Sequence, residues 1–154
     1  MISNPPEPLT VPANSSARTP AERPPLRVLI IEDNPDTAES LRILLELLGY
    51  EPRIARTGIE GVRIAEEWGP TVVLSDIGLP GLDGFGVAEA LRQSGVRLIA
   101  ITGYAGEEFR RRAYASGYEA IITKPADPDH LVRLLSRSGE GGSSGRKLSV
   151  HWPK

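Results

Sequence analysis

The chain has no cysteine, which excludes disulfides and thiolate metal centres. It has two histidines, His130 and His151, and neither stands at metal-ligand spacing from another candidate. His130 falls in the first turn of an expected helix, where a surface position suits it, and His151 lies near the end. A basic excess is also missing: 18 Lys and Arg against 20 Asp and Glu leave a net charge of −2, which argues against nucleic acid as a partner. No apolar run approaches a membrane span, and the opening MISNPPEPLT has neither the basic cluster nor the apolar stretch of a secretory signal. No Gly-x-Gly-x-x-Gly follows a strand, because the glycines at 78, 81, 84 and 86 miss that spacing, and no Walker-type Gly-x4-Gly-Lys occurs either. The expectation is a soluble, cytoplasmic protein that binds neither nucleotide by these loops nor membrane.

What is present is one domain's worth of core: 154 residues, 40% of them apolar and a quarter charged. Seven of the fourteen prolines lie within the first 25 residues, among Ser, Asn, Thr and Glu. Such a segment buries too little apolar surface to offset its ordering entropy, so 1–25 is expected to be a disordered arm. Residues 139–154 open as a Gly/Ser linker and close on a basic-aromatic tip, expected to be a flexible tail. The folded unit is then 26–138, and it carries the acidic balance.

Within it, apolar runs at 26–32, 51–55, 71–76, 97–102 and 119–124 alternate with amphipathic stretches. Near-continuous apolar runs of this length suit strands covered on both faces. Asn34 followed by Pro35 starts the first helix and Gly49 stops it, with Ala38, Leu41, Leu44, Leu45 and Leu48 as its stripe. Thr57 and Glu60 make a capping box for the second, which ends at Gly69-Pro70. Asp83 caps the third, which stops near Gly95. The fourth runs to Gly117 with Glu107–Arg111 and Glu108–Arg112 pairs, and Asp127-Pro128 opens the fifth, with Leu131, Leu134 and Leu135 inward. Five strand–helix units predict an α/β, doubly wound, five-stranded parallel sheet of flavodoxin-like (βα)5 type, order 2-1-3-4-5. In such sheets ligands bind beyond the carboxyl ends of the strands.

Those ends carry Glu32, Asp33, Asp76, Thr102 and Lys124. The three carboxylates come from the first and third strands, which this topology makes neighbours. Crowded like charges need a cation, and hard oxygen ligands without His or Cys favour Mg²⁺. A carboxylate beside a metal and an ammonium can attack phosphorus, since both neutralise the transferring group. Singly, each residue has a plainer explanation: Asp33 could cap the next helix, Lys124 could be a solvated terminus, Thr102 an ordinary β-former. Their co-occurrence on the ligand-binding edge favours phosphoryl transfer to an aspartate.

Four segments, VLIIEDNPD (28–36), VLSDIGLPGLDG (73–84), IAITGYA (99–105) and IITKP (121–125), resemble in order and spacing the signature segments of bacterial response-regulator receiver (CheY-like) domains. The wording of 101–118 looks most like receivers attached to, or working with, hybrid sensor histidine kinases. The resemblance implies that Asp76 is the phosphoacceptor, Asp33 the direct Mg²⁺ ligand, Glu32 a ligand through water and the Gly78 carbonyl a further ligand. It implies that Thr102 is the switch hydroxyl, that Lys124 contacts the phosphoryl group, and that a cis peptide precedes Pro125. One position departs: where the family often has Tyr, Phe or His three residues before the lysine, this chain has Ile121. Tyr104, between Gly103 and Gly106, is then the aromatic nearest to Thr102 that could carry the switch.

The implied function is a stand-alone response regulator of a two-component phosphorelay. A histidine kinase or histidine phosphotransfer protein would donate, and an output protein would bind at the fourth and fifth helices; a homodimer is left open. Such a domain phosphorylates and dephosphorylates itself, without turnover on an external substrate. Two alternatives stand beside it. A phosphorylation-independent scaffold would have a damaged acid cluster, and an Mg-dependent aspartyl phosphatase would need a second acid where Gly78 stands.

Overall fold

Each apolar run forms a strand, and each amphipathic stretch a helix. The order is β1 (Arg27–Ile31), α1 (Pro35–Leu47), β2 (Glu51–Ala55), α2 (Gly58–Trp68), β3 (Val72–Asp76), α3 (Gly84–Leu91), β4 (Arg97–Thr102), α4 (Glu107–Ser116), β5 (Ala120–Thr123) and α5 (Pro128–Ser136). The computed structural model describes residues 25–104 and 106–136. The expected tail and all but the last residue of the expected arm therefore lie outside the described residues, as does His151. All pairings are parallel and the sheet order is β2-β1-β3-β4-β5, the expected flavodoxin-like α/β arrangement.

Side-chain alternation along the strands builds two core layers. Leu29, Ile31 and Val73 pack with Ala65, Trp68, Val87, Leu91 and Ala113, which places α2, α3 and α4 on one face. Val28, Ile30 and Leu74 pack with Leu41, Leu45, Leu131 and Leu134, which places α1 and α5 on the other. Strand β2 departs from the expectation of two covered faces. It is one of the two sheet edges, and Glu51 and Arg53 are exposed, the Arg53 guanidinium lying 4.6 Å from the ring centre of Trp68. Pro52 suits such an edge because it offers no donor to a further strand.

Local chemistry sets the helix ends. Asn34 Oδ1 accepts from the backbone N–H groups of Asp36 and Thr37, each at 3.0 Å. Thr57 Oγ accepts from Glu60 N at 3.1 Å, and Asp83 Oδ1 from Gly86 N at 2.9 Å. Gly69 ends α2 in the left-handed conformation, φ 65°, which only glycine adopts freely. Two surface expectations fail. Leu48 is exposed rather than part of the α1 stripe. Arg112 does not pair with Glu108, and its guanidinium lies 3.9 Å from the ring centre of Phe85 on α3, a cation–π contact made in place of an exposed ion pair that is worth little. The Glu107–Arg111 pair does form, at 3.8 Å.

The loop between β3 and α3 is pinned by a close approach. A Cβ on Gly58 would lie 2.2 Å from the Leu82 carbonyl oxygen, a backbone atom that cannot rotate away. Gly58→Ala is therefore expected to destabilise the fold by about 1–3 kcal/mol through overpacking. Urea unfolding would check this, and an unchanged midpoint would show that the loop can shift freely.

Candidate functional site

The register of β1 against β3 creates the site. Ile31 pairs with Ser75, so the next residues, Glu32 and Asp76, emerge side by side at the carboxyl edge. Both are enclosed by neighbouring strands, with Glu32 only 2% and Asp76 9% exposed. Asp33 follows on the way to α1 and is exposed. One carboxylate oxygen from each of the three lies within 4.8 Å of the others. On the other side β4 pairs with β5, setting Thr102 against Thr123, one residue before Lys124. Lys124 N donates to the Thr102 carbonyl at 2.8 Å, and the peptide to Pro125 is cis.

Lys124 closes the cluster. Its Nζ lies 3.0 Å from Asp76 Oδ2 and 2.5 Å from Glu32 Oε1. Burial works against the charge of Lys124, yet its bonds to Glu32 and Asp76 outweigh this and hold it above the ordinary lysine range. Burial also pushes the Glu32 carboxyl above its usual range, with the neighbouring Asp76 adding to the effect and Lys124 only partly offsetting it. Among the described residues Lys124 is the one cation that meets Glu32 Oε1, and no other partner reaches that oxygen.

Three carboxylates lie together with a single ammonium, and the buried Glu32 Oε1 meets that ammonium alone, so the excess of negative charge fits a further cation. The donors are all oxygen, and Asp33 and Gly78 are exposed and leave the edge open, so the donor set suits a hard divalent ion such as Mg²⁺. This is the only group of three or more potential metal ligands among the described residues.

The remaining candidates are arranged unequally. Gly78 N donates to Asp76 Oδ1 at 3.1 Å, which steadies that oxygen. Thr102 is buried, and its hydroxyl accepts from Tyr104 N at 3.2 Å. The Tyr104 ring stands outside the cluster, 66% exposed, edge-on to Phe109 at 5.7 Å. Phe109 in turn meets Phe85 edge-on at 5.5 Å. Ile121 is buried in the α2–α4 layer, away from the carboxylates. His130 is half-buried rather than on the surface.

Two residues of this neighbourhood escape the strand-end argument. Ser75 Oγ donates to the Asp76 carbonyl at 2.9 Å, and the Tyr118 hydroxyl donates to the Gly84 carbonyl at 2.7 Å. A hydroxyl inside the apolar run Val72–Asp76 was the visible signal for Ser75. For Tyr118 there was none, since its partner lies 34 residues away.

The response regulator receiver domain family matches residues 28–136. An uncharacterized 14.6 kDa protein of Leptolyngbya boryana is 37% identical over 114 residues, covering 71% of this chain and 87% of that protein. The sensor histidine kinase RcsC of Salmonella typhi is 28% identical over 113 residues, which are 72% of this chain but 12% of the kinase. Among solved structures, a CheY-like receiver domain protein from Methanospirillum hungatei JF-1 aligns with a TM-score of 0.69 at 34% identity, covering 75% of this chain and 95% of that one. A small protein and a large kinase thus match alike, and the hybrid-kinase type expected from 101–118 is not singled out.

Proposed function

The chain belongs to the response regulator receiver family of two-component signalling, and on that premise we propose that it is a phosphorylation switch with Asp76 as its acceptor. The observation that carries this is Lys124 Nζ set between Asp76 and Glu32 at 3.0 and 2.5 Å, in a cluster with the donor chemistry for Mg²⁺. Asp33, Asp76 and the Gly78 carbonyl would hold the ion directly and Glu32 through water. When bound, the ion would neutralise charge on the phosphoryl oxygens. The protein's own part is positional. Gly78 N–H holds Asp76 Oδ1, Lys124 is placed to meet a phosphoryl oxygen, and the Thr102 hydroxyl lies one residue beyond on the adjoining strand.

Receivers are in general signalling modules rather than enzymes. The chemistry proposed here likewise ends on the protein's own carboxylate. A histidine kinase or histidine phosphotransfer protein would donate the group. A groove of about 470 Å³ between α1 and the β5–α5 loop, lined by Thr37, Ser40, Leu44 and Pro125, runs up to Lys124 and offers the donor a surface. Phosphorylation would alter contacts to an output protein. No helix among the described residues is long and apolar enough to cross a membrane. Incubation with Mg²⁺ and a small acyl phosphate should add one phosphoryl group by intact mass, and a chelator should prevent it. Equal uptake with the chelator present would defeat the proposal.

The route out of the site is expected to run through α4. Ile121 is short, stiff at its first torsion and already packed, so it cannot take the place of an inward-swinging aromatic. Tyr104 N already holds the Thr102 hydroxyl, and its ring touches Phe109 on α4. With beryllofluoride as the phosphoryl mimic, hydrogen exchange should change at 103–112. Changes confined to 119–124 would contradict this route.

A further inference from the structure

Behind the acceptor, in the opposite core layer, lies a small polar cluster within apolar surroundings. Alternation along β3 turns Leu74 and Asp76 towards the α1–α5 layer, and Val73 and Ser75 towards the α2–α4 layer. There Ser75, fully buried, donates to the carbonyl of Asp76 itself at 2.9 Å. Tyr118, 2% exposed, reaches from the α4–β5 turn to the Gly84 carbonyl at 2.7 Å. Gly84 N donates to the Ile77 carbonyl at 2.9 Å. A Cβ on Gly84 would lie 2.5 Å from Ile77 Cα and 2.8 Å from the Asp76 carbonyl oxygen, so the first residue of α3 rests directly on the Asp76–Ile77 peptide. The Tyr118 backbone is anchored as well, its N–H donating to the Ala113 carbonyl at 3.2 Å. Burial pushes the phenol up to about 12, with the adjacent Ser75 hydroxyl offsetting part of the shift, so Tyr118 stays a neutral donor throughout the physiological range.

We propose that Ser75 and Tyr118 are positioning residues for Asp76. They clamp the peptide that follows it, Ser75 directly and Tyr118 through Gly84, so that the carboxylate's aim is set from behind the sheet. The inference rests on Asp76 being the acceptor. The reason is geometric: the carboxylate hangs one carbon from this backbone, and group transfer is sensitive to displacements well under about 1 Å. A buried serine and phenol would otherwise be costly choices where Ala and Phe fill similar volume without a hydroxyl to satisfy.

The test uses the full chain and the rate of phosphoryl uptake from a small acyl phosphate at saturating Mg²⁺. Tyr118→Phe and Ser75→Ala are each expected to slow uptake about fivefold, the rate equivalent of one net hydrogen bond. The midpoint of the Mg²⁺ titration should stay unchanged, and the double variant should lose less than the product of the two. Ile122→Val, which removes one methylene from the opposite layer, should lower the melting temperature without slowing uptake. Wild-type rates in Tyr118→Phe and Ser75→Ala would overturn the inference and leave the two hydroxyls with the fold alone. So would a slowing that higher Mg²⁺ removes, or equal slowing in Ile122→Val. Failure of the unaltered protein to be phosphorylated on Asp76 would be a different result, because it would overturn the proposed function itself.

Discussion

Asp76→Asn is expected to abolish phosphoryl uptake while leaving the fold in place. The substitution keeps the size of the side chain but removes the anionic oxygen that would attack phosphorus, and no nearby group supplies another in the same place. Glu32 is buried against Lys124, and Asp33 belongs to the turn that leads into α1. The amide cannot serve both present partners. Asp76 Oδ1 now accepts from Gly78 N and Oδ2 from Lys124 Nζ, so in Asn one of these donors would face an NH₂ group. Against that loss stands relief of repulsion among three carboxylates lying within 4.8 Å. The two effects oppose, and the net change in stability should stay within about 1 kcal/mol. Intact mass after incubation with Mg²⁺ and an acyl phosphate checks the chemistry, and a melting curve checks the fold. An undiminished phosphoryl signal in the variant would move the acceptor elsewhere.

The strand ends were legible in the sequence because a parallel sheet sends every carboxyl end to one edge, whatever the strands contain. Once 28–31 and 72–76 are recognised as strands, Glu32 and Asp76 must meet. The caps were legible for a similar reason: Asn34, Thr57 and Asp83 act on backbone within three residues of themselves. What failed involved partners distant in sequence. Arg112 looked paired with Glu108 by helical spacing, but Phe85 on another helix offered a better surface. Strand β2 was expected to be covered on both faces, although the alternation of Glu51 and Arg53 with Pro52 and Ile54 already marked an edge. Lys124 was assigned to a phosphoryl group alone. Its contact with Glu32 depends on how far β5 advances beyond β1 across two intervening strands, which no local pattern encodes.

That contact makes Lys124→Ala the sharper test of how charge is balanced in the site. Without the ammonium, Glu32 is a buried carboxylate beside Asp76 with no cation, and burial already holds it above the usual range. Removing one partner of a buried pair costs about 3–5 kcal/mol. Because the Lys124 side chain is 26% exposed, water screens part of this and about 2 kcal/mol is expected. The sign with pH follows from the raised Glu32. A carboxyl that is harder to ionise in the fold than in the unfolded chain binds more protons when folded, so its presence lowers stability as pH rises above the unfolded value of about 4.3. Metal-free Lys124→Ala should therefore lose more melting temperature than the wild type between acid and neutral pH. Mg²⁺ should restore it, raising the melting temperature of the variant more than that of the wild type, since the ion supplies the charge the ammonium no longer does. Phosphoryl uptake should nevertheless remain impaired, because a metal at the carboxylates does not replace a cation placed to meet the transferred group. If Mg²⁺ affinity collapsed instead, Lys124 would belong to the metal-binding arrangement, and its assignment to the phosphoryl group would fall.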